Sequence, residues 1–230
     1  VARAPDIPEL YAGGPHHATR SFDIGNTALR TEVLRGWDLG WTHAHGRLDV
    51  QANAFIYRSP NYIYQRSLGW FYESEEGNAQ AVCARLDHCL PATKYEQAAA
   101  QLHGFEAELG WRLLPGERWR VALFADAVRG RLGDGADLPR MPPRRWGLAM
   151  SARQGPWHTE WRWTRAEAQM RPGENETPTA GYVRLDGSVR WQTRLASGQR
   201  LALFLIGRNL TNQSIRNSTS FLRNYAPEPG

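Results

Sequence analysis

Hydrophobic and polar residues alternate with a period of two along most of the chain, and helical periodicity is poor. In one segment Val183, Leu185 and Val189 share a phase, while Arg184 and Asp186 share the other. Such alternation is typical of β-strands with two different faces. It predicts eight long strands, at residues 32–43, 47–57, 95–114, 118–130, 143–154, 157–168, 180–194 and 199–210.

The connections between these strands alternate strictly between short and long. Turn-forming pairs mark the four short ones: His45-Gly46, Pro115-Gly116, Gly155-Pro156 and Ser197-Gly198. The long ones are residues 58–94, 131–142, 169–179 and 211 onward. In an antiparallel meander this order places all short turns on one rim and all long loops on the other.

The length of the predicted strands indicates that they cross a membrane. About 9–11 tilted residues cross a bilayer as β-strand, whereas strands of globular proteins average about 5–6 residues. Length, alternation and loop asymmetry together predict an all-β fold. We expect an antiparallel meander forming part of a transmembrane β-barrel, with short periplasmic turns and long extracellular loops.

The tryptophans support this interpretation. Nine of the ten fall in the apolar phase, and five of them lie near the short turns: Trp41, Trp111, Trp119, Trp157 and Trp191. Indole favours the headgroup boundary of a bilayer, so these five predict an aromatic girdle. A soluble β-sandwich would also alternate, but we expect its tryptophans at mid-strand.

The opposite phase carries charges along whole strands, which requires a wide lumen that is filled by water or by protein. The last strand is the exception. Its inward phase would hold Ala202, Phe204, Ile206 and Arg208.

Composition excludes several function classes. The longest apolar run, Leu201 to Ile206, is too short for a transmembrane helix. The net charge of +5 is scattered and comes mostly from arginine, so we predict no nucleic-acid partner. No hydrolase triad, phosphate-binding loop or paired-carboxylate constellation is present, and we predict no enzymatic activity.

The two cysteines, Cys83 and Cys89, have five residues between them in a polar segment. This proximity favours a local disulfide, and hence an oxidising compartment, over two unrelated thiols.

Several segments resemble the barrel of TonB-dependent outer-membrane receptors. They are RAPDIPELYAGGPHHAT from Arg3, FDIGNTALRTEVLRGWDLG from Phe22, HGFEAEL from His103 and GRNLTNQSIRNSTSFLRNYAPEPG from Gly207. Together these segments span nearly the whole chain, and their order and spacing make the resemblance specific. The likeness is closest to the zinc-uptake receptors, through ELYA with H-x-AT, NYIY from Asn61 and VRGRL from Val128.

The resemblance implies that residues 1–230 are the C-terminal portion of the barrel, about eight of roughly 22 strands, without the plug domain and the final strand. The implied function is TonB-dependent uptake of a metal or metal chelate, most of all zinc, in the bacterial outer membrane. The implied partners are outer-membrane lipid and, through the missing plug, the TonB complex. We expect a monomer that needs no cofactor beyond its cargo.

Candidate ligand-binding residues lie in the first and longest external segments. The resemblance favours His16 as a metal ligand, with His17 beside it, and imidazole suits zinc. Asp87 and His88 fall between the cysteines, where a disulfide ring would present them for metal capture. Tyr62, Tyr64 and Trp70 would line an aromatic mouth for a chelate or haem. An exposed His pair, a polar loop tip and packing between loops are the alternatives.

Three other functions remain open. The first is a siderophore or haem receptor of the same family. The second is a passive channel or self-contained eight-strand barrel, and the third is a soluble β-sandwich binding module.

Overall fold

The structure, a computed structural model, describes residues 1–73, 77–83, 89–113, 118–174 and 176–228. The chain begins with five short elements, and only the last of them, at residues 32–33, falls within a strand that the sequence patterning predicted. They are β1 (Ala2–Arg3), α1 (Ile7–Tyr11), β2 (Gly13–His16), β3 (Ser21–Ile24) and β4 (Glu32–Val33). No helix in the described part of the chain is long and apolar enough to cross a membrane.

Within the described residues, all eight predicted long strands are present. They are β5 (Arg35–His45), β6 (Leu48–Glu73), β8 (Cys89–Arg112), β9 (Trp119–Leu132), β10 (Arg145–Gln154), β11 (Trp157–Ala166), β12 (Tyr182–Arg194) and β13 (Arg200–Gly207), and a short β7 (Asn78–Gln80) lies between β6 and β8. Each pairs antiparallel with the next long strand. The predicted meander is confirmed.

The sheet is open. In the described pairings β5 bonds only to β6 and β13 only to β12, so the two end strands do not close on each other. The described residues therefore do not form a self-contained eight-strand barrel.

The prediction of a loop at residues 58–94 is wrong over most of its length. β6 and β8 stay paired as far as Glu73 and Cys89, and β7 pairs with the end of β6. The register shifts between Ser59 and Tyr62, and again between Ser67 and Phe71. Each β-bulge inserts residues into one strand and breaks the period-two pattern, which hid this tall hairpin in the sequence.

The N-terminal segment folds back onto the tall hairpin. β3 pairs in parallel with β8, with Phe22 opposite Ala92, and β2 pairs antiparallel with β3. The Arg3 guanidinium donates to Glu9 at 2.8 Å and to Glu32 at 3.1 Å, and the hydrogen bond with Glu9 is the main cause that raises the pKa of Arg3. Glu32 in turn accepts the backbone N–H of Ile63 at 3.0 Å. These contacts fix the segment against β6.

The strand register confirms the predicted phases. Cross-strand partners lie on the same face, and successive pairings join Leu109, Leu123, Leu148 and Trp163 in one row of one face. Trp37 lies on this same face, in the row of Ile56. We call it the apolar face and its reverse the polar face. On the apolar face Trp37 is 82 % exposed and Leu123 is 54 % exposed. No second layer covers this face in the described residues.

A one-layer sheet has no core between layers, and the best-buried large side chains lie elsewhere. Leu138 and Ile215, each 1 % exposed, belong to two of the long connections. Those connections meet at one end of the sheet, which we call the long-loop rim. The opposite end, with Gly46, Gly155 and Gly198 in its tight turns, is the short-turn rim.

Candidate functional site

The polar face carries ion pairs between neighbouring strands. Arg120 on β9 bonds Asp49 on β6 and lies 2.6 Å from Glu108 on β8, and Arg112 is 3.9 Å from Asp49. These groups are only partly buried, so they stay open to whatever fills the space beside the polar face. Such pairing allows charges to line a wide hydrated or protein-filled lumen.

Further arginines continue this lining. Arg145 lies 3.0 Å from Asp126, and Arg184 lies 2.8 Å from Asp186. The Arg162 guanidinium stacks 3.5 Å from the ring centroid of Phe124, a cation–π contact. The polar face therefore presents both charges and a few aromatic rings.

The polar face becomes apolar at β13, as the sequence predicts. Ala202, Phe204 and Ile206 pair with Gln192, Arg190 and Ser188 on β12, which places them on the polar face. Phe204 is 74 % exposed there.

The predicted aromatic girdle is present at the short-turn rim. Trp157 and Trp191 are direct cross-strand partners, and Trp111 pairs with Leu48. Trp41, Trp111 and Trp157 are all exposed on the apolar face. Their indoles project outward where the strands end.

At the long-loop rim, three connections form a small packed unit around an ion pair. Arg223 lies 2.9 Å from Glu176, and both side chains are about nine-tenths buried. Glu176 also accepts the backbone N–H groups of Arg140 at 3.0 Å and Gly173 at 2.9 Å. Ser218 donates to the carbonyl of Met141 at 2.9 Å. These bonds join residues 138–144, 173–174, 176–180 and 215–224 into what we call the rim cluster.

His16 and His17 lie beside this rim, at the end of β2 and in the following turn, and both are exposed. His16 Nδ1 is 2.6 Å from Thr19 Oγ1 and 3.7 Å from Asp23 Oδ2. Asp23 is 6 % exposed and accepts from Thr93 Oγ1 at 3.0 Å. The geometry brings His16 to a carboxylate and leaves His17 at the surface.

Tyr62 and Tyr64 project from the same face of β6 in the tall hairpin, opposite Ala98 and Glu96. Burial raises the pKa of both phenols, and the negative charges of Glu32 near Tyr62 and of Glu96 near Tyr64 add to the effect. Both side chains are half-buried. They are therefore partly available to a ligand.

Trp70 does not join these two tyrosines. Six residues along a strand span roughly 15–20 Å, and Trp70 instead lies 5.9 Å from the ring of Phe22. Phe22 also stacks on Tyr72 at 4.5 Å. The predicted aromatic mouth is thus divided into two places on the hairpin.

The Cys83–Cys89 disulfide is present and closes the top of the hairpin. Asp87 and His88 lie outside the described residues, so their predicted role stays a prediction. Among the residues that are described, no three His, Cys, Asp or Glu side chains converge as a metal site.

Sequence reasoning missed two groups near the candidate site. Asp23 belongs to the FDIGN segment but carried no separate signal for its approach to His16. A second group links the hairpin to the rim cluster, because Gln65 donates to the Tyr95 hydroxyl at 3.0 Å and accepts from Arg140 at 3.0 Å. Only the fold brings these distant positions together.

Comparison with known structures gives the same architecture. The copper transporter OprC is 17 % identical, with a TM-score of 0.70 over 96 % of this chain and 31 % of its own. The siderophore receptor PirA from Acinetobacter baumannii is 14 % identical, with a TM-score of 0.58 over 100 % of this chain and 36 % of its own. At these identities the likeness shows the fold alone, and the chain spans about a third of each relative.

A family comparison reaches further. Residues 1–210 match the family described as TonB dependent receptor-like, beta-barrel. The match covers the N-terminal segment and all eight long strands. The chain therefore belongs to the TonB-dependent receptor β-barrel family.

Proposed function

We propose that this chain is part of the barrel of an outer-membrane receptor that takes up a metal or a metal chelate. The observation that carries the proposal is the division of a one-layer sheet into an exposed apolar face and an ion-paired polar face. Lipid would cover the first face, and water or a plug domain would meet the second. The girdle and the rim cluster give the sheet a periplasmic and an external end.

Zinc is the cargo that we propose first. His16 beside the buried Asp23 supplies one nitrogen and one oxygen donor of the kinds that zinc accepts. His17, Asp87 and His88 are proposed as further ligands from the same external region. The zinc ion is the transported substrate, and no other cofactor is required.

A siderophore or haem is the second candidate, favoured by the half-buried aromatic side chains of the hairpin. Tyr62 and Tyr64, and separately Trp70 with Phe22, offer flat apolar surfaces to a large chelate. Such a ligand would contact the hairpin without replacing His16.

The partners follow from this function. In the whole receptor we propose that the TonB complex acts on a plug domain that lies against the polar face. The barrel would be monomeric and surrounded by outer-membrane lipid. The chain would contribute passage and part of the ligand site, not chemistry.

Zinc titration of the full-length receptor by calorimetry tests the cargo. The double variant His16→Ala with His17→Ala should weaken zinc binding at least tenfold, because it removes the imidazole beside Asp23 and the one next to it in the chain. The matched control is His43→Ala with His45→Ala, an exposed His pair at the opposite rim. That control should bind zinc like the unaltered receptor.

Unchanged zinc affinity in the first double variant would refute the site. To test the second candidate, the unaltered receptor and Tyr62→Ala are each titrated with a ferric siderophore and with haem. If the unaltered receptor binds one of these chelates, Tyr62→Ala loses that binding and no variant binds zinc, then the chelate and not zinc is the cargo.

A further inference from the structure

The apolar face ends differently at its two rims. At the short-turn rim it ends in tryptophans, whereas at the long-loop rim its part on β5, β6 and β9 ends in arginines. Arg35 and Arg58 are direct cross-strand partners, and the same row continues through Gln101 to Arg131 across four neighbouring strands. Arg35, Arg58 and Arg131 are all exposed.

The charges of this row are only partly compensated. Arg131 and its neighbour Arg129 share one carboxylate, Asp137, at 3.9 and 3.5 Å. Among the described residues no acidic side chain lies within 4.0 Å of Arg35 or Arg58. Like charges directly opposite each other on a sheet are destabilising, so this pair favours an external anion.

A groove lies at the same place. It has a volume of about 860 Å³, and Arg35, Arg58 and Arg131 surround it. Trp37 and Ile56, one pleat nearer the middle of the apolar face, supply apolar walls. The groove is therefore cationic towards the long-loop rim and apolar towards the middle of the sheet.

We propose that this groove binds the phosphate-bearing headgroup of a lipid of the outer leaflet, with an acyl chain against Trp37 and Ile56. The inference rests on the proposed function, because it requires the apolar face to lie in a membrane. Guanidinium groups bind phosphate oxygens bidentately, and basic pockets between membrane-spanning elements bind lipid headgroups. A free phosphate would use the arginines but not the apolar walls.

The experiment uses the full-length receptor in detergent and a defined probe, bis-phosphorylated lipid A, with binding measured by native mass spectrometry. The unaltered receptor should bind it at least fivefold more tightly than the same lipid without phosphates. Arg35→Gln with Arg58→Gln should remove that preference. Inorganic phosphate at equal concentration should compete weakly, because it lacks the acyl chain.

The matched control is Arg194→Gln with Arg200→Gln. These residues are also exposed cross-strand partners, but they lie on the polar phase at the short-turn rim. The control should keep the full phosphate preference.

Equal binding of the two lipids to a correctly folded barrel would overturn the lipid site and leave the proposed function intact. Heat-modifiable electrophoretic mobility reports whether the barrel has folded. A receptor that never reaches a membrane-inserted barrel would instead overturn both.

Discussion

At the scale of single residues, the external end of the molecule depends on a few buried polar groups. Arg223 and Glu176 are the most enclosed ion pair of the described residues, and the bonds of Glu176 to two backbone N–H groups make the carboxylate the centre of the rim cluster. A buried charge that loses its partner is costly. The pair therefore decides whether three long connections behave as one unit.

Arg223→Met should loosen the rim cluster without unfolding the strands. It leaves the Glu176 carboxylate buried without its cation, at a cost of about 3–5 kcal/mol. Amide hydrogen exchange of the full-length receptor should become at least tenfold faster at residues 138–144, 173–174 and 176–180, with the strands unchanged. Arg171→Met, which removes an exposed arginine, is the control. Equal exchange in the two variants would contradict the role of the pair.

Tyr62 makes the stability of the tall hairpin dependent on alkaline pH. Burial holds its pKa above the ordinary value of about 10, so the folded state retains a proton that the unfolded state releases. The contribution to stability is complete below pH 10 and is lost as the pH rises through the raised pKa.

Tyr62→Phe should reduce the loss of stability that accompanies a rise in pH above 10. Urea unfolding of the receptor at several alkaline pH values measures this slope. Tyr11→Phe removes an exposed phenol and serves as the control. An identical slope in Tyr62→Phe and the unaltered receptor would count against the assignment.

At the scale of elements, aromatic rings on one strand pack over glycines on the neighbouring strand. Phe124 pairs with Gly147, and Trp161 pairs with Gly187. A Cβ added at Gly147 would lie 2.8 Å from the Phe124 ring and against the Trp163 carbonyl, and one at Gly187 would lie 2.5 Å from the Trp161 ring. The missing side chain provides the space for the ring, a known device for holding register.

Gly147→Val should therefore destabilise the pairing of β9, β10 and β11. Overpacking of this kind costs about 1–3 kcal/mol. The measurement is the urea midpoint of the barrel together with the folded fraction in outer membranes. Gly40→Val is the matched control, because the nearest atom to a Cβ there is 4.0 Å away. Equal loss in both variants would show that any strand glycine is needed.

At the scale of the whole molecule, one layer of sheet must be stabilised by its surroundings. The apolar face has no protein partner in the described residues, while its side chains stay exposed in the middle of the strands. Hydrocarbon tails would bury these side chains, as in other transmembrane barrels. The fold therefore depends on a hydrocarbon environment at the apolar face and on ion pairs at the polar face.

Leu123→Arg places a charge on the apolar face and should reduce barrel insertion. The cost near the middle of a bilayer is about 2–4 kcal/mol. Folding into lipid vesicles, followed by heat-modifiable mobility, measures it. Gln51→Arg introduces the same side chain on the polar face, opposite Glu108, and should fold normally. If both variants insert equally well, lipid does not cover the apolar face.

The sequence by itself determined the strands and their faces. Alternation is a local property that needs only near neighbours along the chain, and so the eight strands, the nine outward tryptophans and the apolar inner phase of Ala202, Phe204 and Ile206 were all predictable. The Cys83–Cys89 bridge was favoured for the same reason, since its partners are close in sequence.

The tertiary structure alone decided the external end. The bulges near Ser59 and Ser67 shift the period and concealed the tall hairpin, and β3 adds to β8 across a separation of 70 residues, as from Asp23 to Thr93. The approach of His16 to Asp23 and the union of Arg223 with Glu176 depend on how loops fold onto one another. Such contacts carry no periodic signal, because side-chain packing between distant segments sets them and not the repeat of the backbone.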